Sequence, residues 1–416
     1  MLQRIVFLFF FILPFQWALS PVPGIDLALA RVLSMLIFFV WVFSSVFKKR
    51  LMLPDGLSSF LASSFLFISA LSFLWAGNAD FSVRKIAFLF SFFPSFFVLT
   101  SFFKENIKRV QTTLSFFIYG SVIAAAVSLV QFFSQFIFGV EKVFSFWTGS
   151  ILPFFLGSAF GDSVAAYPSL LVNISGKTLL RATGFFPDPH MFSFYMGISI
   201  LLTLGMFFSQ RERKWGYAFW ILLVADLLAF SRGGYLGLCA GVTFFLFTFF
   251  YQKGLGVRGL LTGAGIFGII FLTAWSPIGA RFGSTFSTED GSNKERIRLW
   301  EEALGHISER PFLGVGLGNY PLLVKPSAGY REPIYVHNLY LDIAVEAGLL
   351  GLSFFVALLW LAGWRLWRKW EKTHDTLSLG TLGALLVFST HAFFDTPLFS
   401  VHALPALLLL LAGGVS

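Results

Sequence analysis

The chain has only one cysteine, Cys239, and this residue lies within an apolar run. A single thiol cannot form an intramolecular disulfide and cannot supply a cysteine-rich metal site. The loops must therefore be held without covalent cross-links, and the thiol itself is expected to be a small packing residue.

Charged residues are also scarce, at 12% of the 416 residues, and nucleotide-binding motifs are missing. The chain has no Walker sequence and no glycine-rich dinucleotide fingerprint in the right setting. ATP-driven chemistry within the chain is thereby excluded, and no cofactor is expected. Energy must come from the substrate or from a gradient.

Apolar residues are abundant instead: 56% of the chain is hydrophobic, 57 residues are phenylalanine, and the mean hydropathy is +0.79. Runs of about 20 apolar residues, enough to cross about 30 Å of hydrocarbon as helices, recur along the whole length. This pattern predicts an all-α polytopic membrane protein with about twelve transmembrane helices. The predicted spans are 4–20, 27–46, 57–76, 84–103, 112–138, 184–208, 215–230, 234–251, 258–275, 338–364, 377–394 and 398–414.

Basic residues follow every second predicted span, which is the pattern of loops retained in the cytoplasm. Both termini are then cytoplasmic, and the net charge of +9 reflects topology and not a nucleic-acid surface. The first run could also be a signal peptide cleaved near 18–20, but a retained helix is favoured because the cleavage pattern is poor. Arg84 and Lys85 are the main exceptions to this rule, because they lie at the outer end of a predicted span. The residues that set the orientation are Lys48, Lys49, Arg50, Lys104, Lys108, Arg109, Arg211, Arg213, Lys214, Lys253, Arg258, Arg365, Arg368, Lys369 and Lys372.

Two long segments, 139–183 and 276–337, then face outward, and they divide the chain. Helices one to nine occupy 1–275, a loop with an amphipathic helix occupies 276–337, and helices ten to twelve occupy 338–416. A capping box at 292–295 precedes the apolar face formed by Ile297, Trp300, Leu304 and Ile307. This helix either lies on the bilayer or packs on the membrane domain. Seven acidic and seven basic residues in 276–336 balance, which leaves Arg296 and Arg298 for specific anion contacts.

A glycine-rich run, 311–320, follows this helix. Alternating glycines can present backbone N–H groups to a phosphate, but they equally allow a loop to pack tightly. The sequence leaves both interpretations open. Glu346, buried in the following span, needs a partner or a protonated state.

Three features on the outer side carry the chemistry. Arg181 leads into span six, where Asp188 and His190 follow it, and Arg232 sits in a tight turn at the membrane boundary. His337 stands with Asn338 at the N-terminal end of span ten, where free helix N–H groups tolerate an anion. An imidazole can accept a proton near neutral pH, which is what a general base requires.

Several of these motifs resemble those of the O-antigen ligase and polysaccharide polymerase superfamily. The matching residues are His337-Asn338 followed by Gly348, the run at 310–319, and Ser231-Arg232-Gly233. The resemblance implies a bacterial inner-membrane glycosyltransferase that uses a lipid-linked glycan on the periplasmic side, without metal or nucleotide. It also implies that His337 is the catalytic histidine and that Arg181 and Arg232 contact the diphosphate.

The reaction expected from this resemblance is transfer of a glycan from undecaprenyl diphosphate to a sugar hydroxyl of lipid A core, with inversion. Asn338, Asp188, His190, Arg296 and Arg298 are expected to support it. Asp188 would be the nearest carboxylate for a covalent route, which ranks lower. His391 and Asp395, on the last outer turn, are interpreted as polar interface residues.

The length of the chain and the one dominant outer segment before His337 favour a ligase over a polymerase. A polymerase and an O-linked protein oligosaccharyltransferase share these features and stay as alternatives. A transporter of lipid-linked sugars is the alternative from another class. Carriers usually place charges near the bilayer midplane and often have two related halves. Here the candidate residues lie on one face, and no convincing internal repeat is found.

Overall fold

The computed structural model describes residues 1–22, 25–47, 55–106, 108–166, 169–174, 176–257, 261, 265, 291–330, 332 and 334–415. The predicted ninth span at 258–275 lies almost entirely outside these residues, as do Lys48, Lys49, Arg50 and Arg258. The described chain is predominantly helical and contains two short antiparallel hairpins. The predicted all-α class is confirmed.

The elements follow one another from the N-terminus to the C-terminus. They are α1 (Leu2–Ile12), β1 (Ala18–Val22), β2 (Ile25–Ala28), α2 (Leu29–Phe47), α3 (Gly56–Leu71), α4 (Ala79–Phe92), α5 (Pro94–Glu105), α6 (Lys108–Phe138), α7 (Val140–Phe146), α8 (Leu152–Leu156), α9 (Ser158–Ala166), β3 (Leu171–Ile174), β4 (Lys177–Leu180), α10 (Pro189–Gln210), α11 (Arg213–Leu227), α12 (Arg232–Gln252), α13 (Gly291–Glu309), α14 (Tyr320–Val324), α15 (Leu339–Thr373), α16 (Thr376–His391) and α17 (Ala403–Val415).

Seven helical segments in the described residues are long and apolar enough to cross a membrane. These are Leu29–Phe47, Gly56–Trp75, Ala79–Glu105, Lys108–Phe138, Pro189–Gln210, Arg232–Gln252 and Leu339–Thr373. They correspond to seven of the twelve predicted spans. The chain is thus a multi-pass membrane protein, but a count of twelve is not confirmed.

Four other predicted spans form helices that are shorter than expected: α1, α11, α16 and α17. Helix α17 has 13 residues, all of them buried, and reaches only about 20 Å at 1.5 Å per residue. A helix that is apolar on every side and fully enclosed by protein does not have to match the bilayer thickness. Sequence hydropathy alone cannot distinguish such a helix from one that faces lipid.

Glycines let α16 approach α10 and α12 closely. A Cβ atom added at Gly380 would lie 2.8 Å from the Cα of Gly205 in α10, and one added at Gly237 in α12 would lie 2.9 Å from the carbonyl oxygen of Val387. Small residues permit backbones to pack this tightly in membrane helices. One contact lies near the ends that carry His190 and His391 and the other at the opposite ends, so α16 is held closely against both α10 and α12.

The first outer segment is folded and does not form an open loop. It contains α7, a π-helical turn at Trp147–Ile151, α8, α9 and the β3–β4 hairpin. Trp147 donates through its indole N–H to the carbonyl of Gly184, at 2.7 Å. The hairpin leads directly into Arg181.

The predicted amphipathic helix exists as α13, but its buried face is rotated from the one expected. Leu299 and Ala303 are buried, whereas Ile297 and Leu304 are exposed at 44% and 54%. The helix packs on the N-terminal part of α15. The apolar cluster at this contact also includes Val315, Tyr320, Val336 and Val345. The predicted capping residues at 292–295 lie inside the helix, which already includes Gly291. Of the predicted face, Trp300 and Ile307 do pack against this cluster, so the periodicity predicted the helix and half of its packed face.

The glycine-rich run packs into a break in α15. Gly348 has φ 72° and ψ 174°, which interrupts the helix. Val315 donates its N–H to the carbonyl of Val345 at 2.8 Å, and Gly316 donates to the carbonyl of Glu346 at 3.0 Å. Leu317 donates to the hydroxyl of Ser72 at 2.9 Å. These N–H groups bind protein, so the structure favours tight packing over the phosphate interpretation.

Glu346, which required a partner, lies beside Lys85 of α4. The two carboxylate oxygens are 3.0 and 2.9 Å from the lysine Nζ. The side chains are 1% and 11% exposed, so the pair is buried. This ion pair fixes α4 against the broken part of α15.

Candidate functional site

Asp395 lies between two histidines at the outer ends of α10, α15 and α16. Its Oδ1 is 3.6 Å from Nδ1 of His337, and its Oδ2 is 3.6 Å from Nδ1 of His190. At this length the contacts are electrostatic, and they are longer than ordinary hydrogen bonds. The aspartate side chain is only 8% exposed, whereas that of His337 is 32% exposed. One carboxylate thus faces both imidazoles, and His337 is the more accessible of the two.

Local backbone structure holds this arrangement. The N–H of Leu339 donates to the carbonyls of Ala392 and Asp395, at 2.8 and 3.1 Å, which joins the start of α15 to the last outer turn. The Asn338 side chain caps α15 by accepting from the N–H groups of Tyr340 and Leu341. His337 itself has φ 53°. A side chain held in the left-handed region costs about 1 kcal/mol or more and often marks a functional position.

The Asp395 carboxyl is kept ionised by its surroundings. Burial alone would raise its pKa, but His337, His190 and Arg296 together hold that pKa well below its usual range. A carboxylate that stays charged at neutral pH favours the protonated form of an adjacent imidazole. Asp395 can therefore stabilise a proton taken up by His337.

Ser231 connects this group to a third histidine. Its hydroxyl lies 3.1 Å from Nδ1 of His190 and 3.5 Å from Nε2 of His391. His391 is fully buried and stacks parallel to Phe194, with ring centroids 3.6 Å apart. A Cβ atom added at Gly233 would come within 2.7 Å of the His391 ring. The sequence Ser231-Arg232-Gly233 therefore packs directly on the last outer turn.

Arg232 is the first residue of α12, and Ser231 caps that helix by accepting from the N–H of Gly234. The Arg232 residue is only 3% exposed. An anion placed at this point would be stabilised by both the guanidinium and the helix N-terminus.

Arg181 holds the backbone that precedes this turn. Its guanidinium donates to the carbonyls of Ala229 at 2.7 Å, Phe230 at 2.8 Å and Ser169 at 3.2 Å. The side chain is buried. Arg181 thus supports the segment that presents Ser231 and Arg232, a role that its position in the sequence did not indicate.

The remaining sequence-predicted residues divide into two groups. Asp188 caps α10 by accepting from the N–H groups of His190 and Met191, both at 2.8 Å, and Arg296 is an electrostatic neighbour of His190, His391 and Asp395. Arg298 is exposed and pairs with Glu295 and Glu302 on its own helix. The geometry brings Asp188 and Arg296 to the site but gives Arg298 partners on the surface of α13.

Sequence reasoning underrated the last outer turn. Asp395 and His391 were interpreted as polar interface residues, yet the carboxylate faces His337 and His190 directly. The sequence did offer a reason to consider them, because the predicted last turn lies on the same side of the membrane as His337. The imidazole and carboxylate groups do not form a metal site, because no group of three or more such ligands that could hold an ion occurs in the described residues.

Residues 217–356 match the family model described as O-antigen ligase. This match supports a likeness to the O-antigen ligase-like superfamily over that segment. No curated protein matches the chain. The matched domain contains Arg232, Arg296, His337 and Gly348, whereas Arg181, His190 and Asp395 lie outside it. The likeness to O-antigen ligases therefore covers part of the residue cluster, and the fold supplies the rest.

Asp188 lies outside the matched segment, and its carboxyl offers a test of the electrostatics around Asp395. Burial raises the pKa of Asp188 to about 6, with the charge of Asp395 adding to the effect. An unfolded aspartate titrates near 3.9, so the carboxyl destabilises the folded state progressively as pH rises from about 4 to about 6, and by a constant amount above that. Asp188→Asn keeps a helix cap without the charge. We expect its melting temperature to exceed that of the wild type by a margin that grows over this pH range and then levels off, corresponding to at most about 3 kcal/mol.

The control for this experiment is Asp188→Ala, which also removes the charge but loses the cap at a cost of about 1 kcal/mol. It should be less stable than Asp188→Asn at every pH. A constant difference between wild type and Asp188→Asn from pH 4 to pH 8 would contradict the raised pKa.

Proposed function

We propose that this protein is an O-antigen ligase that transfers a glycan from undecaprenyl diphosphate to a sugar hydroxyl of lipid A core. The lipid-linked donor already carries a diphosphate leaving group, so the transfer needs no nucleotide as an energy source, and in this proposal no metal takes part. The observation that carries the proposal is the placement of Asp395 against His337 and His190, with Ser231 of the Ser231-Arg232-Gly233 turn in contact with His190, partly within a segment similar to O-antigen ligases.

His337 acts in this proposal as the general base. The acceptor hydroxyl loses its proton to the imidazole while its oxygen attacks the anomeric carbon. Asp395 faces Nδ1 of the ring at 3.6 Å, which leaves Nε2 to meet the hydroxyl. The ionised carboxylate stabilises the imidazolium that forms, and Asn338 fixes the start of the helix behind it.

Arg232 binds the diphosphate. As the acceptor oxygen bonds to the anomeric carbon, the bond from that carbon to the phosphate oxygen breaks, and its electron pair stays on the diphosphate. A guanidinium at a helix N-terminus stabilises this growing charge more in the transition state than in the ground state. Arg181 positions the turn and adds positive charge, and Arg296 faces the same cluster from α13. Attack opposite the leaving group gives inversion.

We further propose that the site faces the periplasm of a bacterium and that both termini are cytoplasmic. The opposite end of the helix bundle carries basic residues at the ends of α5, α10 and α15, as expected for cytoplasmic loops. There Arg365 of α15 forms a bidentate ion pair with Asp55 at the start of α3. This end would lie inside the cell.

The test restores a deletion strain with the wild-type gene or with Arg232→Gln and examines surface polysaccharide and undecaprenyl-linked glycan. For a ligase, the Arg232→Gln strain should accumulate long lipid-linked polymer while lipid A core stays bare, because binding of the diphosphate is lost. Retention of single repeats would indicate a polymerase, and unmodified glycoprotein would indicate a protein oligosaccharyltransferase. Purified wild-type protein in liposomes should transfer glycan without metal or ATP, and a pure carrier should not.

A further inference from the structure

Three basic side chains and one tyrosine meet where α2, α4 and the loop before His337 come together. Arg31 begins α2, Arg84 and Lys85 lie in the second turn of α4, and Tyr330 belongs to the loop that precedes His337. The charges of Lys85, Arg84 and Arg31 all act on the Tyr330 hydroxyl. The Arg84 guanidinium also lies over the Tyr330 ring, 5.0 Å from its centroid. This part of the surface is therefore strongly positive.

Among the described residues, the lysine of this group has a carboxylate partner, whereas the two arginines have none. Lys85 pairs with the Glu346 carboxylate. Arg31 donates through Nε to the hydroxyl of Ser91 at 3.0 Å and lies 5.4 Å from the centroid of Phe88. Within the part of the chain that the structure describes, no salt bridge joins Arg31 or Arg84 to a carboxylate. Two guanidinium charges are thus left over.

The two arginines border the same strip of α4. Arg84, Phe88 and Ser91 are spaced by four and three residues, so they share one face of the helix. Arg31 contacts the last two of them from α2. The strip from Arg84 to Ser91 covers about 10 Å of helix, and arginine side chains are long enough to converge on one phosphate across that distance.

The surface around the arginines is apolar. Val32, Leu36 and Phe39 of α2 are 39%, 43% and 50% exposed, and Val83 and Phe90 of α4 are 51% and 44% exposed. In a multi-pass membrane protein such residues face lipid chains. An arginine at the edge of an apolar membrane surface requires an anionic partner or access to head groups.

We propose that Arg31, Arg84 and Tyr330 form a second anion site that binds the phosphate group of a membrane lipid. Guanidinium groups bind phosphate oxygens in a bidentate manner, and the phenol hydroxyl supplies a further donor. The acyl chains pack on the apolar strips of α2 and α4. This site shares no residue with the His337 cluster and does not depend on the proposed transfer reaction.

The experiment measures binding of fluorescent phosphatidic acid to the purified protein in uncharged detergent, with the diacylglycerol of the same chains for comparison. The wild type should bind phosphatidic acid at least about tenfold more tightly, because charge-assisted hydrogen bonds to phosphate are strong. Arg31→Gln with Arg84→Gln should remove this preference, and Tyr330→Phe should weaken it. Arg310→Gln removes an exposed arginine at the same end of the molecule and should leave the preference unchanged, as should His337→Ala.

Arg84 is exposed, so Arg84→Gln alone tests the site without disturbing the core if the double variant does not fold. An unchanged preference for phosphatidic acid in Arg84→Gln and in the double variant would overturn the proposal. Equal loss in Arg310→Gln would do so as well, since it would reveal only general attraction to anionic lipid. Displacement of the probe by inorganic phosphate as effectively as by unlabelled phosphatidic acid would show that lipid is not the ligand.

Discussion

Replacement of His337 by alanine is expected to lower the rate of glycan transfer by about 10²-fold to 10⁴-fold, the usual contribution of a positioned general base. The acceptor hydroxyl is a weak nucleophile, and in the variant no imidazole stands beside Asp395 to take its proton. Binding of the lipid-linked donor should change little, because the diphosphate contacts belong to Arg232. The loss should therefore appear in kcat and not in KM for the donor.

A matched control is available in His306, an imidazole on α13 that faces Glu309 at the surface. His306→Ala removes the same atoms from the same end of the molecule and should transfer glycan at the wild-type rate. The measurement is single-turnover transfer in liposomes, with the melting temperature recorded for each variant. Wild-type kcat in a folded His337→Ala protein would eliminate this histidine as the base.

Asp395→Asn separates positioning from proton transfer. The amide keeps the shape of the side chain but no longer favours protonation of the two imidazoles that face it. We expect a smaller fall in kcat than for His337→Ala. The fall should appear in kcat with KM for the donor unchanged. A merely structural role for Asp395 would lower the melting temperature without this split between kcat and KM.

The sequence predicted that Arg232, His190 and His337 share one face of the molecule, but it did not predict the central contact of the site. Arg232, His190 and His337 each stand next to an apolar run, so alternation of the loops was enough to place them on one face. The contact of Asp395 with His337 and His190 depends on how closely α16 packs between α10 and α12. That approach is set by glycines in three helices far apart in sequence, and no local pattern encodes it.

The count of twelve spans is not confirmed, for a similar reason. Hydropathy reports how apolar a segment is, and α17 is as apolar as any lipid-facing helix although it is buried throughout its 13 residues. The face of α13 was also predicted only in part, since Ala303 was too small to attract notice and yet is fully buried against α15. In both cases burial by neighbouring helices decided the structure, and hydrophobic pattern alone does not determine which neighbour is present.

The largest expected effect on stability comes from Gly348→Ala. The backbone at φ 72° and ψ 174° lies in a region that is almost exclusive to glycine, which costs other residues about 1–3 kcal/mol. A Cβ atom there would also stand 2.1 Å from the carbonyl oxygen of Phe312. That atom belongs to the loop whose N–H groups satisfy the open carbonyls of α15, so relieving the clash would break the hydrogen bonds of Val315 and Gly316.

We therefore expect Gly348→Ala to lower the melting temperature by more than about 10 °C, or to prevent accumulation of folded protein, through strain combined with lost backbone pairing. Gly363→Ala provides the comparison within the same helix, because a Cβ atom there meets side-chain atoms of Leu382 and Leu385 at ordinary distances of 3.7 and 3.6 Å. It should melt within about 2 °C of the wild type or slightly above it, since alanine favours helix. If the two variants melted together, the break at Gly348 would not be held by the 311–318 loop, and the base of the His337 helix would need another source of rigidity.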